Sequence, residues 1–480
     1  MKRLLTLLLL LASAGSTSAT QELPSLGDST SGLISLHQEK ELGQEWLRAL
    51  RSQAPTIDDP LAITWFRDLV YELVPHSGLQ DTDLSIIVVD SPELNAFAVP
   101  GGIVGINLGL LLYSDDEDQV ASVLAHELAH LSQRHFARQV EAAQRRDPVT
   151  LATLLASIVL IATNNTDAGV AGLVGSQAAA IQNQLAYSRD FEREADRLGM
   201  VTLSRSGMDA HAMTDMFSNM MSASRYRGSS LEFLMTHPLT SARVADAAGR
   251  AAQYPEKQRQ RSFSFQVLRL LAEARYQLKD EALAELERRL EKSGPDTSEN
   301  HDSRNALLYA LARLSFNRED WKKGAAYADQ ITYAHPAVTA LRAQLTAEMG
   351  DAGTALTMVK EARRNYPADL SLRLTQAMLL DRSGKAPEAV AILKKITEDY
   401  PENPAYWATL SKTASTSGDS VLAYRALGES YFYSGRKQEA AQQLRSAIKE
   451  AARLSDFQRE AAIRERLKVV EPLKDSRGRP

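Results

Sequence analysis

Apolar positions recur at helical spacing along most of the chain, with only one short interval of strand-like pattern. Between residue 21 and about residue 80 two amphipathic stretches, Leu42 to Arg51 and Ile63 to Leu73, predict helices joined by polar segments. The pattern then changes. Leu84-Ser85-Ile86-Ile87-Val88-Val89 is a β-branched run and predicts a strand. Asn95 to Val99 and Ile103 to Ile106 flank Pro100-Gly101-Gly102, so a small sheet or hairpin is expected there. From Asp115 the chain turns acidic and then reads as one helix through Arg138, with the acids in the first turn, where the helix dipole favours them.

Two apolar runs stand apart. Leu4 to Ala12 follows Lys2 and Arg3 and precedes the small residues Thr17-Ser18-Ala19, which together predict a cleaved export signal over 1–19. Val149 to Thr163 is apolar almost throughout but falls short of the ~20 residues that span a bilayer. It fits a buried helix, or a flap that covers a cleft or touches a membrane as a peripheral contact. Asn164-Asn165-Thr166 matches a glycosylation sequon, too short a signal to carry a role.

The C-terminal half repeats. Gly350, Gly384 and Gly418 are 34 residues apart, as are Tyr366-Pro367 and Tyr400-Pro401, and Ala355 and Ala389. That period of paired helices is the signature of tetratricopeptide repeats. Leu427, Gly428, Tyr431, Ala440, Leu444 and Ala447 mark the clearest unit, in which small residues let two helices approach closely. About four degenerate repeats are expected between 303 and 455, with further helices over 262–295. Trp321, Tyr366, Tyr400 and Trp407 are expected in the core of this array.

Composition narrows the chemistry. The chain has 480 residues, a net charge of −5 and no cysteine. The length favours more than one domain, no basic footprint for nucleic acid is present, and thiol nucleophiles, zinc–thiolate sites and disulfides are excluded. His126-Glu127-Leu128-Ala129-His130 is an HExxH sequence inside a helical pattern. Histidines at i and i+4 share a helix face and can reach one metal ion, while Glu127, about 100° around the helix, can reach a water beside it. A catalytic site of this kind takes a third protein ligand from elsewhere. Glu192 and Asp196 also lie at i and i+4: Glu192 can ligate, and Asp196 can accept the second ring proton of a ligating histidine. Spacing alone fits a charged, solvated face equally well, because Arg189, Arg193, Glu194 and Arg197 are adjacent. His135, five residues past His130, is expected at the surface off the metal face. His237, in Thr236-His237-Pro238-Leu239, is a candidate oxyanion donor, a candidate resident of the metal's open position, or a plain loop histidine, with Arg243 a weaker oxyanion candidate.

HELAH followed some sixty residues later by Glu192-Arg193-Glu194-Ala195-Asp196, with Asn95 to Gly102 ahead of it, resembles the gluzincin family of CAAX prenyl endopeptidases and HtpX-type membrane proteases. With an export signal and C-terminal repeats, most of the chain resembles the branch of beta-barrel assembly-enhancing proteases of the Gram-negative periplasm. The resemblance implies a mostly α protein: a helical zincin-type metallopeptidase domain with a small β-sheet or hairpin over 20–258, then an α-solenoid of tetratricopeptide repeats over 259–475. It further implies one Zn2+ per chain held by His126, His130 and Glu192, with Glu127 as catalytic acid–base. Implied substrates are unfolded or stalled outer-membrane proteins, and the implied partner of the repeats is the β-barrel assembly machinery. Asn95 to Val99 is then expected to be an edge strand that binds extended peptide. The competing expectation is a periplasmic chaperone or scaffold whose protease site is latent or vestigial.

Overall fold

The computed structural model describes residues 35–144, 188–227, 232–259 and 261–471. The export signal over 1–19, the apolar run Val149 to Thr163 and the sequon at 164–166 lie outside the described residues.

The N-terminal half is built on a three-stranded sheet of β1 (Ser85–Val89), β2 (Ala96–Val99) and β3 (Ile103–Asn107). Strand order is β1-β3-β2, with β1 parallel and β2 antiparallel to β3, so β2 is an edge. The β2–β3 turn runs through Gly101 and Gly102, both at positive φ, and a Cβ on Gly101 would fall 2.6 Å from the Glu39 carbonyl oxygen. Helix α1 (Leu36–Gln53) crosses this turn, and α2 (Pro60–Leu73) packs on β1. Leu61, Phe66, Val70 and Leu73 of α2 are buried, as their helical spacing predicts.

Helix α3 (Glu117–Ser132) starts at Asp116, whose carboxylate accepts from the Gln119 N–H at 2.9 Å. Nearly every residue from Gln119 to His130 is buried, so α3 is the central helix. The expected single helix through Arg138 is corrected here. It ends at Ser132, Arg134 adopts φ 49°, and α4 (His135–Gln144) starts in a new direction. Then follow α5 (Arg189–Arg205), α6 (His211–Arg227), α7 (Glu232–Thr236) and α8 (Ser241–Ala251). Helix α5 packs along α3 with Gly199 at the crossing, where a Cβ would lie 3.0 Å from the His126 backbone nitrogen. Small residues there, Ala195 included, let the two backbones nearly touch.

From α9 (Phe263–Glu273) and α10 (Ala282–Lys292) onward the chain is a helical array. It pairs α11 (His301–Asn317) with α12 (Trp321–Asp329), α13 (Pro336–Glu348) with α14 (Ala352–Asn365), and α15 (Leu370–Arg382) with α16 (Ala386–Asp399). Next come α17 (Pro404–Thr416) with α18 (Ser420–Tyr433), and α19 (Lys437–Arg453) with α20 (Phe457–Val470). The hairpins therefore run past 455, one more than the expected four. Their turns carry Gly350, Gly384 and Gly418 at positive φ. Gly428 of α18 approaches Leu444 of α19 as expected, its notional Cβ 3.0 Å away. Tyr366, expected in the core, is 46% exposed.

The array curls back onto the N-terminal half. Gln44 donates to Glu402, Asn403 donates to Asp58 at 3.2 Å, and Gly435 meets the Arg48 carbonyl oxygen with no room for a side chain. Arg275 and Tyr276 both donate to Asp90 just beyond β1. Among the described residues no helix is long and apolar enough to cross a membrane.

Candidate metal centre

Four side chains converge where α3, α5 and the segment after α7 meet. Ligand atoms of His126, His130, Glu192 and His237 all lie within 4.8 Å of one another, and all four residues are buried. The two HExxH histidines point Nε2 to Nε2 at 3.0 Å, as the i, i+4 spacing predicts. Glu192 Oε1 is 3.4 Å from His130 Nε2 and 3.0 Å from His237 Nδ1. His237 Nδ1 is 3.3 Å from His126 Nε2, which places this histidine inside the cluster. Helix α5 reaches it because Ser188 caps its start, accepting from the Phe191 N–H at 3.2 Å, so that Glu192 lies in the first turn and buried.

Glu127 lies beside the cluster, with Oε1 3.5 Å from His237 Nε2. The Ala98 N–H of β2 donates to its carboxylate, joining the edge strand to the HExxH glutamate. Burial pushes the Glu127 carboxyl above the ordinary carboxylate range, against the pull of His237 and His126. For Glu192 the balance is reversed. Burial alone would raise it, but His237, His130 and His126 hold it well below the usual range. Burial drives His130 far down, toward the neutral imidazole, whereas Glu192 and Glu127 overcome the burial of His237 and raise it.

Imidazole nitrogens gathered round a carboxylate are the donor set of a divalent transition metal. Buried Glu127 Oε1 has no hydrogen-bond partner, which costs stability unless the water attending a metal satisfies it. The residues present therefore fit such an ion.

The surrounding shell holds two surprises and one agreement. Asp196 Oδ1 is 3.0 Å from His126 Nδ1, as the i, i+4 reading of α5 expects. Arg243, considered as an oxyanion donor, is committed elsewhere: Nε and Nη2 both donate to Asp196 at 2.7 Å, and Nη1 lies 2.6 Å from Glu192 Oε2. The expected surface position of His135 is also overturned. His135 is fully buried, its Nδ1 is 2.9 Å from His130 Nδ1, and its Nε2 is 3.1 Å from Glu194 Oε2. Burial lowers its pKa to about 4, against the pull of Glu194. Glu194, which spacing left on a solvated face, also accepts from Arg138 at 3.0 Å. The break at Arg134 is the reason: counted along an unbroken helix His135 points away, but the left-handed residue turns it under His130.

Comparison with known proteins agrees with this geometry. Residues 60–251 match peptidase family M48, and residues 347–413 match the tetratricopeptide repeat. The beta-barrel assembly-enhancing protease of Escherichia coli is 33% identical over 88% of this chain and 86% of its own length. The putative beta-barrel assembly-enhancing protease of Vibrio cholerae is 32% identical over 85% of this chain and 84% of its own. The mitochondrial metalloendopeptidase OMA1 of Schizosaccharomyces pombe is 28% identical over 44% of this chain and 60% of its own. With a buried His–His–Glu–His cluster inside the matched segment, the chain is a metallopeptidase of family M48, in the group of the beta-barrel assembly-enhancing proteases.

Proposed function

We propose that this chain is an exported zinc endopeptidase that hydrolyses misfolded or stalled outer-membrane β-barrel proteins in the periplasm. In this reading a peptidase domain over 20–258 does the cutting, and a repeat domain over 259–475 recruits substrate or the β-barrel assembly machinery. The observation that carries the catalytic part is the convergence of four buried ligand atoms beside an unmatched Glu127 oxygen. The relatives' names, beta-barrel assembly-enhancing protease, support the substrate class.

His126, His130 and Glu192 would hold the ion, one zinc per chain. When bound, zinc supplies Lewis acidity, which activates a water and polarises the scissile carbonyl. Glu127 takes the proton of the attacking water and returns it to the leaving amine nitrogen; burial strengthens it as a base. The Ala98 amide fixes the Glu127 carboxylate, so the strand that orients the base is also the sheet edge available to extended substrate. Asp196 accepts the Nδ1 proton of His126, leaving Nε2 for the metal. His237 fits the fourth position better than an oxyanion role, because its Nδ1 lies among the ligand atoms. With His237 beside His126, His130 and Glu192, a bound ion would meet four protein ligands and leave no place for a water, so the resting enzyme would be latent until His237 withdraws. This same closure favours a second reading, in which the latent chain acts mainly as an assembly chaperone or scaffold.

The test is cleavage of a purified, unfolded outer-membrane β-barrel protein by the full chain and by Glu127→Gln. The expected loss in Glu127→Gln is at least about 100-fold in rate. Equal cleavage by both chains removes Glu127 from the mechanism; no cleavage by either is the latent state, and cleavage still absent from His237→Ala favours the scaffold reading.

A further inference from the structure

The two HExxH histidines are supported differently on the nitrogen that faces away from the cluster. His126 Nδ1 meets a carboxylate directly, Asp196 Oδ1 at 3.0 Å. His130 Nδ1 meets a second imidazole, His135 Nδ1 at 2.9 Å. Two ring nitrogens at that distance share one proton, and the surroundings decide which carries it. His130 presents Nε2 to the cluster, 3.0 Å from His126 Nε2 and 3.4 Å from Glu192 Oε1. For Nε2 to ligate, its lone pair must be free, so the proton of a neutral His130 sits on Nδ1. His135 Nδ1 must then accept, and its own proton must sit on Nε2. Glu194 Oε2, 3.1 Å away, takes that Nε2–H, and Arg138 anchors the same oxygen at 3.0 Å. Under this assignment each of the three contacts from Arg138 through Glu194 and His135 to His130 has one donor and one acceptor.

We infer that His135 and Glu194 are positioning residues that lock His130 in its Nδ1–H tautomer and so hold its Nε2 toward the metal. The inference rests on the metallopeptidase reading and deepens it. His135 is also stacked on Phe191, with ring centroids 4.5 Å apart and planes 9° from parallel. A purely structural role would come from that packing, and the two roles can be separated. His135→Leu keeps apolar contact with Phe191 and removes the acceptor. His135→Asn loses the stacking ring but places an amide oxygen near the position of Nδ1. Glu194→Ala, on a partly exposed side chain, removes the second acceptor and leaves the core intact.

The experiment loads the full chain with zinc and measures the rate of zinc transfer to a chromogenic chelator, with thermal unfolding of the metal-free chains as a check on folding. Loss of a partner to a ligating histidine typically weakens metal binding by about 10–100-fold. His135→Leu should release zinc faster by that factor, His135→Asn should stay within about threefold of wild type, and Glu194→Ala should fall between. Release at the wild-type rate from His135→Leu, or equal acceleration in His135→Asn, overturns the inference. If His135→Leu does not fold, wild-type release from Glu194→Ala overturns it. A wild-type chain that takes up no zinc overturns the metal reading itself, and the inference with it.

Discussion

Asp196→Ala removes the carboxylate that Arg243 and His126 share, and its consequences separate into two measurable parts. Asp196 and Arg243 are each about 4% exposed, and the pair is bidentate at 2.7 Å on both arms. Burial alone would raise the Asp196 carboxyl, but the Arg243 and His126 hydrogen bonds hold it below its usual range. Stripping one partner from such a buried pair typically costs about 3–5 kcal/mol, because the surviving charge is left in a poor solvent. Here Arg243 keeps Glu192 Oε2 at 2.6 Å and the Pro238 carbonyl oxygen at 2.9 Å, which puts the expected loss near the low end, about 3 kcal/mol. Urea unfolding in the presence of a chelator reads that loss with no metal contribution. In zinc-loaded protein the same substitution frees His126 Nδ1 from its acceptor and should weaken zinc by about 10–100-fold in a competition assay. Metal-free stability within about 0.5 kcal/mol of wild type would refute the ion-pair argument. Unchanged zinc affinity would refute the role assigned to Asp196 at His126.

Two further outcomes are expected. His335 caps α13 by accepting the Ala337 N–H on Nδ1 at 3.2 Å, and burial lowers its pKa from 6.5 to about 4. The folded state therefore resists a proton that the unfolded chain takes up: the stability is full above about pH 6.5, falls as pH drops toward 4, and levels off below. The loss is about 2–3 kcal/mol after allowance for the partly exposed ring, and His335→Asn, which can still cap, should remove that part of the pH dependence from urea midpoints; identical slopes for both chains would contradict it. His237→Ala should raise basal peptide cleavage by opening the fourth position, read as initial rate at fixed zinc; a fall would return His237 to oxyanion stabilisation, and no change would make it a plain loop histidine.

The parts of the site that were legible in the sequence are those set by helical periodicity. His126 with His130, and Glu192 with Asp196, are i, i+4 pairs, and one helix turn brings each pair onto a common face. The repeats were legible for a similar reason, since a 34-residue period survives large changes in side chain. His135 was missed because its position depends on a helix break at Arg134, and nothing local marks an arginine for left-handed backbone. A glycine there would have been a signal. Arg243 was misassigned because its partner lies 47 residues earlier on another helix, a contact that only the packing of α8 on α5 creates. The return of the repeats onto α1, at Gly435 and Arg48, follows from the accumulated curvature of the array, which no single repeat encodes.

Whether His126, His130 and Glu192 hold one catalytic zinc is decided by the metal content of the purified chain, read by mass spectrometry. About one zinc per chain is expected for wild type and for Glu127→Gln, with Glu192→Ala losing most of its metal. A metal-free wild type, or full zinc occupancy in Glu192→Ala, would contradict it.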